Sequence, residues 1–400
     1  MRISSNTIFD SNVAAMGQQQ IRLMQTQQQI ASGKRLSSAS TDPVAATRAL
    51  DITQSDAINN QQASSRAAAR HTLSLAESTL QGVTTLLQDV RTAAVYAGNG
   101  TLNSSDRATL ATDLSGRLQE LVGLANSTDG VGNYLFSGFQ SKTQPFVDTP
   151  AGMGYFGDDG QRLAQVSATR QMAASDSGAD VFMRIRNGNG TFVTQATAGN
   201  SGSGVISAGA VVNPAALTGN NYSISFSMAA GISNYSVINT TTGLPVPGMT
   251  AQPYTSGQAI AFDGMRLDIQ GAPASGDSFA VTPSSNESVF KTISNLIATL
   301  NAPVVGSNLT NGLNRGINNL DNALGNVLTV RATLGLRLNE IDALQTTGED
   351  MGLQLKQTLS QLQDVDYNKA ISDLTQQQVT LQAAQKSFTQ VANLSLFTYL

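Results

Sequence analysis

Two stretches at opposite ends of this 400-residue chain carry the same apolar repeat. Near the C-terminus Leu374, Leu381 and Phe388 recur every seven residues, with Ile371, Ala384 and Val391 filling the three-and-four spacing around them. Near the N-terminus Phe9, Met16, Leu23 and Ile30 recur in the same way. A seven-residue recurrence puts side chains on one narrow stripe of an α-helix, a surface built to lie against another helix. Both segments are rich in glutamine and poor in charge. The spacing therefore predicts that the two terminal helices pair while the middle of the chain loops out.

The rest of the chain fits that plan. Ser32-Gly33 ends the first helical segment, glycine being the common helix terminator. Asp42 then precedes Pro43, an N-cap followed by proline at the first helical position, so a second helix starts at Pro43. From Ala69 to Ala97 the series Ala69, Leu73, Ala76, Leu80, Val83, Leu87, Val90, Ala94, Ala97 keeps three-four spacing without a miss. A third helix over about 104–126 carries Leu110, Leu114, Leu118 and Leu121 and doubles back. Helices return at Ser285, with one short stripe (Val289, Ile293, Leu296, Leu300). A long stripe follows: Ile317, Leu320, Leu324, Val327, Leu334, Leu338 and Ile341, interrupted by Arg331. Asp366 can cap the last helix.

Between these helices the character changes. Residues 187–262 contain no Asp, Glu, Lys, Arg or His. Tyr222, Ile224, Phe226 and Met228 alternate with serines, the period of a strand. Ile260 and Phe262, then Asp263-Gly264, then Met265, Leu267 and Ile269 read as a hairpin with a two-residue turn. The expected fold is α+β and multidomain: a long antiparallel helical bundle formed by both ends, with an inserted, mainly β domain. The expected division is residues 1–40 with 361–400 as a terminal coiled coil ordered on assembly, 41–137 with 286–360 as a helical bundle, and 138–285 as the β domain. Leu73, Leu80, Val83, Leu87, Val90, Leu320, Leu324, Val327, Leu334, Leu338 and Ile341 are the expected bundle core.

Composition excludes several functions. Charged residues are 12% of the chain, about half the usual share. The net charge of −4 argues against nucleic acid as a partner. There is no cysteine, hence no disulfide and no thiolate chemistry. No apolar run approaches the length of a membrane span, so no membrane insertion is expected, and the N-terminus lacks the apolar core of a secretory signal. His71, the single histidine, lies off the Leu73–Val90 stripe and reads as a solvated residue; one histidine makes neither a common zinc site nor an HExxH motif. No phosphate-binding loop or nucleophile elbow occurs, and Asp158-Asp159-Gly160 lacks EF-hand spacing. Neither an enzyme nor a cofactor is expected.

Three internal stretches, NYLFSGFQSKTQPF (133–146), YFGDDGQR (155–162) and GAPASGDSFAVTPS (271–284), resemble the hook-associated protein 3 family of the bacterial flagellum. SGKRLSSASTDPVAATRAL (32–50), DVDYNKAISDLTQQQVTLQAAQKSF (364–388) and the terminal ANLSLFTYL resemble flagellins at large. Family members usually carry two acidic residues before the proline; Thr41 replaces the first, and Asp42 keeps the cap. The resemblance implies a structural protein at the junction of hook and filament. Its implied partners are hook-associated protein 1, flagellin, further copies of itself in a ring, and an export chaperone that binds the C-terminal region. It also implies export, unfolded and without a cleaved signal, through the flagellar type III apparatus to an extracellular position. The terminal helices would then line the central channel and the β domain face outward. Phe9, Met16, Leu23, Ile30, Ile371, Leu374, Leu381, Phe388, Val391, Leu394 and Phe397 are the expected assembly interface. Residues 1–40 and 360–400 are expected to be disordered in the free monomer and to fold on assembly. Three other readings stay open: the flagellin filament subunit, a type III translocator, and a secreted enzyme built on Asp158, Asp180 or Asp263.

Overall fold

The computed structural model describes residues 5–36, 38–229, 231–303 and 306–393. The helices are α1 (Ser5–Ser32), α2 (Pro43–Ala97), α3 (Ser104–Ala125), α4 (Val289–Asn301), α5 (Ser307–Gln363) and α6 (Tyr367–Asn393). The strands lie between α3 and α4. In order they are β1 (Phe146–Thr149), β2 (Gly152–Tyr155), β3 (Leu163–Ser167), β4 (Arg170–Ala173), β5 (Ile185–Arg186), β6 (Phe192–Ala196), β7 (Val205–Ile206) and β8 (Ala210–Val211). They continue with β9 (Tyr222–Ala229), β10 (Ile232–Asn239), β11 (Leu244–Pro245), β12 (Gln252–Pro253), β13 (Ala259–Phe262), β14 (Met265–Gln270), β15 (Ser278–Pro283) and β16 (Asn286–Glu287). Helices formed by both ends thus enclose a β insertion. The return to helix comes at Val289, four residues later than the sequence suggested, because Asn286–Glu287 first pairs with Ile185–Arg186 and Ser288 then caps α4 by accepting from the Lys291 N–H.

The chain divides inside α2 and α5. One unit is Met1–Ser64 with Ala343–Leu400, the other Ser65–Asp342. These cuts fall further in than residues 40 and 361. They coincide with the level at which the second unit's β segments reach the helices: the Arg66 Nη1 donates to the Val166 carbonyl at 3.0 Å, and Arg170 is paired with Glu340. The bundle and the β insertion form one unit rather than two.

In the second unit α2 and α5 run antiparallel. Arg70 pairs with Asp342, Glu77 with Arg331 and Asp89 with Arg117 of α3, while Arg91 pairs with Asp321. Every member of the Ala69-to-Ala97 series is buried, with Leu73, Leu80, Val83 and Val90 fully enclosed. Burying each of the larger ones contributes about 1.5–3 kcal/mol. On α5 the buried column is Leu313, Leu320, Val327, Leu334 and Ile341, a strict seven-residue repeat. Leu324 and Leu338, expected in the core, are only half-buried, as is Ile317. They share a seven-residue column with Arg331, and a helix turns only one narrow stripe fully inward. Arg331 interrupts that column because its guanidinium bonds Glu77 and the Thr84 hydroxyl of α2. Small residues fill the other seam column. Gly316 and Ala323 are buried, and a Cβ on Gly316 would lie 2.2 Å from the Leu296 side chain of α4.

The β insertion packs two sheets on one core. The larger has strand order β11-β10-β9-β15-β6 with β12 beside β10; the smaller has β13-β14-β7 with β8 beside β14. Tyr222, Ile224, Phe226, Val237, Ile260, Leu267, Ile269, Phe279 and Val281 fill the space between. The alternation of β9 fails at its far end: Met228 is exposed because the strand projects past the core. Asp263 and Gly264 both take positive φ, 44° and 78°, the conformation a type I′ turn requires. The Tyr222 hydroxyl donates to Asp263 across this turn at 2.5 Å; burial, and then the Asp263 carboxylate, raise its pKa.

Candidate assembly surface

In the first unit α1 and α6 lie antiparallel. The Phe9 and Phe388 rings are 5.1 Å apart, and the Thr26 hydroxyl donates to the Gln377 side-chain oxygen at 3.1 Å. The chain reverses at both ends of the pair in concert. Lys34 and Asp364 form a bridge, the Arg35 N–H donates to the Gln363 carbonyl at 2.6 Å, and the Val365 N–H donates to the Gly33 carbonyl at 3.0 Å. Both caps named from sequence hold their helices. The Ala45 N–H donates to an Asp42 oxygen with Pro43 opening α2, and the Asn368 and Lys369 N–H groups donate to Asp366. The bond from Ala45 leads the effects that hold the Asp42 carboxyl below the usual aspartate range, and Arg35 adds to it.

The expected assembly residues separate into two groups. Met16, Leu23, Ile30, Leu374, Leu381 and Phe388 are half-buried in the seam between α1 and α6. Their stripes are occupied within the chain, because closing a loop onto a matching stripe of the same chain costs less than recruiting one from solution. Phe9 is on the same seam but half-exposed, and Ile371 faces outward at 53% exposure. Val391 lies in α6 with its side chain outside the description, and Leu394 and Phe397 lie outside the described residues.

Away from the seam each helix carries further exposed apolar residues, of which Ile371 alone is expected from the sequence. On α1 these are Val13, Ile21 and Met24, and on α6 Ile371 and Val379, all exposed; Tyr367, also exposed, continues the seam column seven residues before Leu374. Val44, Leu50 and Ile58 on α2, with Met351 and Leu353 on α5, are exposed in the same unit. Their intervals are irregular, eight and three residues on α1 and six and eight on α2, so no repeat marks them in the sequence. Apolar side chains exposed along paired helices mark a protein contact surface.

In the second unit, the three internal stretches that carry the family resemblance are structural centres. Phe136 and Phe146 each meet Phe182 edge-on with centroids 5.4 Å apart, and Phe146 lies 5.2 Å from both Tyr155 and Phe290 of α4. The Tyr155 hydroxyl bonds the carbonyls of Phe136 and Asp158 and the Ser177 hydroxyl. Gly138 sits at φ 72°, where an added Cβ would come within 2.1 Å of an Asp158 oxygen. In the GDSF stretch, Asp277 is buried and accepts from the N–H groups of Ser201 (2.8 Å), Gly202 (3.0 Å) and Ala274 (2.8 Å).

An asparagine face on α5 ties the β segments to the bundle. Asn308 donates to the Asn200 carbonyl and Asn322 to those of Arg186 and Gly188. Asn326 donates to the Asp180 and Val181 carbonyls. Asn311, buried, donates to the Gly204 carbonyl and accepts from the Ile206 N–H, and Asn319 accepts from the Gly188 N–H. The three-four-seven spacing of these asparagines was legible but carries no apolar signal.

His71 is exposed on α2. Asp158 caps the Phe139 and Gly160 N–H groups, and Asp180 pairs with Arg184. Among the described residues no cluster of His, Cys, Asp or Glu is suited to a metal ion, and no helix is long and apolar enough to cross a membrane.

Helical ends folded back on each other around a β insertion define a structural protein of the flagellin type. Residues 3–141 match the bacterial flagellin N-terminal helical region, and 317–400 the C-terminal helical region. Residues 195–283 match the D2-like domain of flagellar hook-associated protein 1. Flagellar hook-associated protein 3 of Salmonella typhimurium strain LT2 is 33% identical, with 99% of each chain covered. That of Escherichia coli strain K12 is 31% identical, again with 99% of each covered. The flagellar junction protein FlgL of Legionella pneumophila, solved by crystallography, superposes with a TM-score of 0.72 at 33% identity, covering 80% of this chain and 100% of that one. The chain belongs to the flagellar hook-associated protein 3 family. It is a structural component of the bacterial flagellum, an extracellular appendage, and its relatives are structural proteins rather than enzymes.

Proposed function

We propose that this chain forms the junction between hook and filament, presenting one face of a ring of its own copies to hook-associated protein 1 and the other to flagellin. The observation that carries this reading is the outward apolar surface on α1 and α6: Val13, Ile21, Met24, Ile371 and Val379 stay exposed after the seam has formed. A free monomer gains nothing from that surface, whereas stacked subunits bury it. The full-length similarity to hook-associated protein 3 supports the axial position. Before assembly the same surface needs cover, so an export chaperone masks the C-terminal region. The low charge and absent cysteine suit passage, unfolded, through the type III apparatus. The polar layer of Thr26 and Gln377 weakens the α1–α6 seam, so residues 1–40 and 360–400 order fully only between subunits.

The test is deletion of the gene in the source bacterium, with electron microscopy and a flagellin blot of the medium. Bare hooks with flagellin shed into the medium are expected. Normal filaments would refute the junction role, and bare hooks with no flagellin anywhere would assign the filament subunit instead.

A further inference from the structure

A groove of about 340 Å³ opens in the second unit between β6, α4 and the first turns of α5. That volume falls within the range of small-molecule sites, about 300–1,000 Å³. Ala196, Ala208 and Ala298 give part of its lining a small, apolar character. Arg315 is the charged residue on its wall. The neighbouring arginines of α5 are matched to carboxylates: Arg331 to Glu77, and Arg337 to Asp176 at 2.9 Å. Among the described residues Arg315 has no ion pair and no hydrogen bond, although it is half-buried. The side-chain amides of Asn314, Asn318 and Gln195 also line the groove, and among the described residues they make no hydrogen bond. On the same helix Asn308, Asn311, Asn319, Asn322 and Asn326 all spend theirs on the β segments.

A guanidinium without a carboxylate is a fork shaped for one. Each uncommitted amide offers donors and an acceptor together, which is what a hydroxyl group both needs and supplies. A phosphate-rich ligand would need more than one cation, and an apolar ligand would leave the amides unpaired. We propose that this groove binds an acidic sugar, with Arg315 taking the carboxylate and Asn314, Asn318 and Gln195 the ring hydroxyls.

The test is titration of the full-length protein with sodium glucuronate, with glucose and acetate as controls. NMR follows the side-chain amides of Asn314, Asn318 and Gln195 and the Arg315 Nε–H. Saturable shifts of these groups by glucuronate are expected. Affinity should exceed that for either control by about tenfold or more, the charge-assisted hydrogen bond being the difference from glucose and the hydroxyl contacts the difference from acetate. Arg315→Gln should lose about tenfold in affinity with its thermal midpoint unchanged. Acetate binding as tightly as glucuronate, groove resonances unmoved by glucuronate, or wild-type affinity in Arg315→Gln would each overturn the assignment. An oligosaccharide ending in glucuronate that binds as well supports a glycan-borne ligand, and its exclusion supports the free acid; the site stands in either case.

Discussion

Asp277→Asn is the sharpest probe of how the β insertion is held. The carboxylate is 2% exposed, and its two oxygens accept three backbone N–H groups: Ser201 at one, Gly202 and Ala274 at the other. Asparagine has the same shape but a single acceptor oxygen. In its better orientation that oxygen keeps Gly202 and Ala274. The NH₂ group then faces the Ser201 N–H, donor against donor, in a site that admits little water. One charge-assisted bond, about 1.5–3 kcal/mol, is lost, and a buried donor is left unpaired at a further cost of about 1–3 kcal/mol. The sum is about 2.5–6 kcal/mol. For a unit of this size the midpoint falls by about 2–4 °C per kcal/mol, so a drop on the order of 10 °C is expected. The chain has no tryptophan, so near-ultraviolet circular dichroism reports its tyrosines, and Tyr222, Tyr235 and Tyr254 lie in or against the insertion's core. The near-ultraviolet transition should move while the helical far-ultraviolet signal at low temperature is preserved. A midpoint within one degree of wild type would refute the reasoning.

Other consequences follow from the geometry. Leu80→Ala, at a fully enclosed position on α2, should destabilise the second unit by about 2–5 kcal/mol in urea unfolding, whereas Leu324→Ala, at the half-buried edge column, should cost clearly less. Met24→Glu combined with Ile371→Glu changes two exposed residues. It should leave monomer melting unchanged and abolish incorporation into flagella, scored by motility and by electron microscopy. The Asp42 cap sets a pH dependence. Its folded pKa lies below that of an ordinary aspartate, so its contribution is present above the ordinary value and disappears as pH falls through the lower folded one. Protection of the Ala45 amide against exchange, relative to its intrinsic rate at each pH, should drop over that acid window in the wild type and show no such step in Asp42→Asn.

The sequence by itself determined the helices and their partners. The nine-member run from Ala69 to Ala97, the Asp42-Pro43 cap and the Asp263-Gly264 turn are local patterns, each set by residues a few positions apart, so they survive being read one segment at a time. The fold class followed from them. Tertiary structure alone decided which apolar residues each pairing leaves exposed. The heptads of Met16–Ile30 and Leu374–Phe388 close on each other as their spacing predicts, and Val13, Ile21, Met24 and Val379 are left exposed beside that seam, which the heptads did not reveal. It also decided the polar centres. Asp277 serves Ser201 and Gly202, some 75 residues away, and Asn311 serves Gly204 and Ile206 across more than 100. Hydrogen bonds satisfy backbone groups wherever the fold delivers them, and no period in the sequence records that delivery.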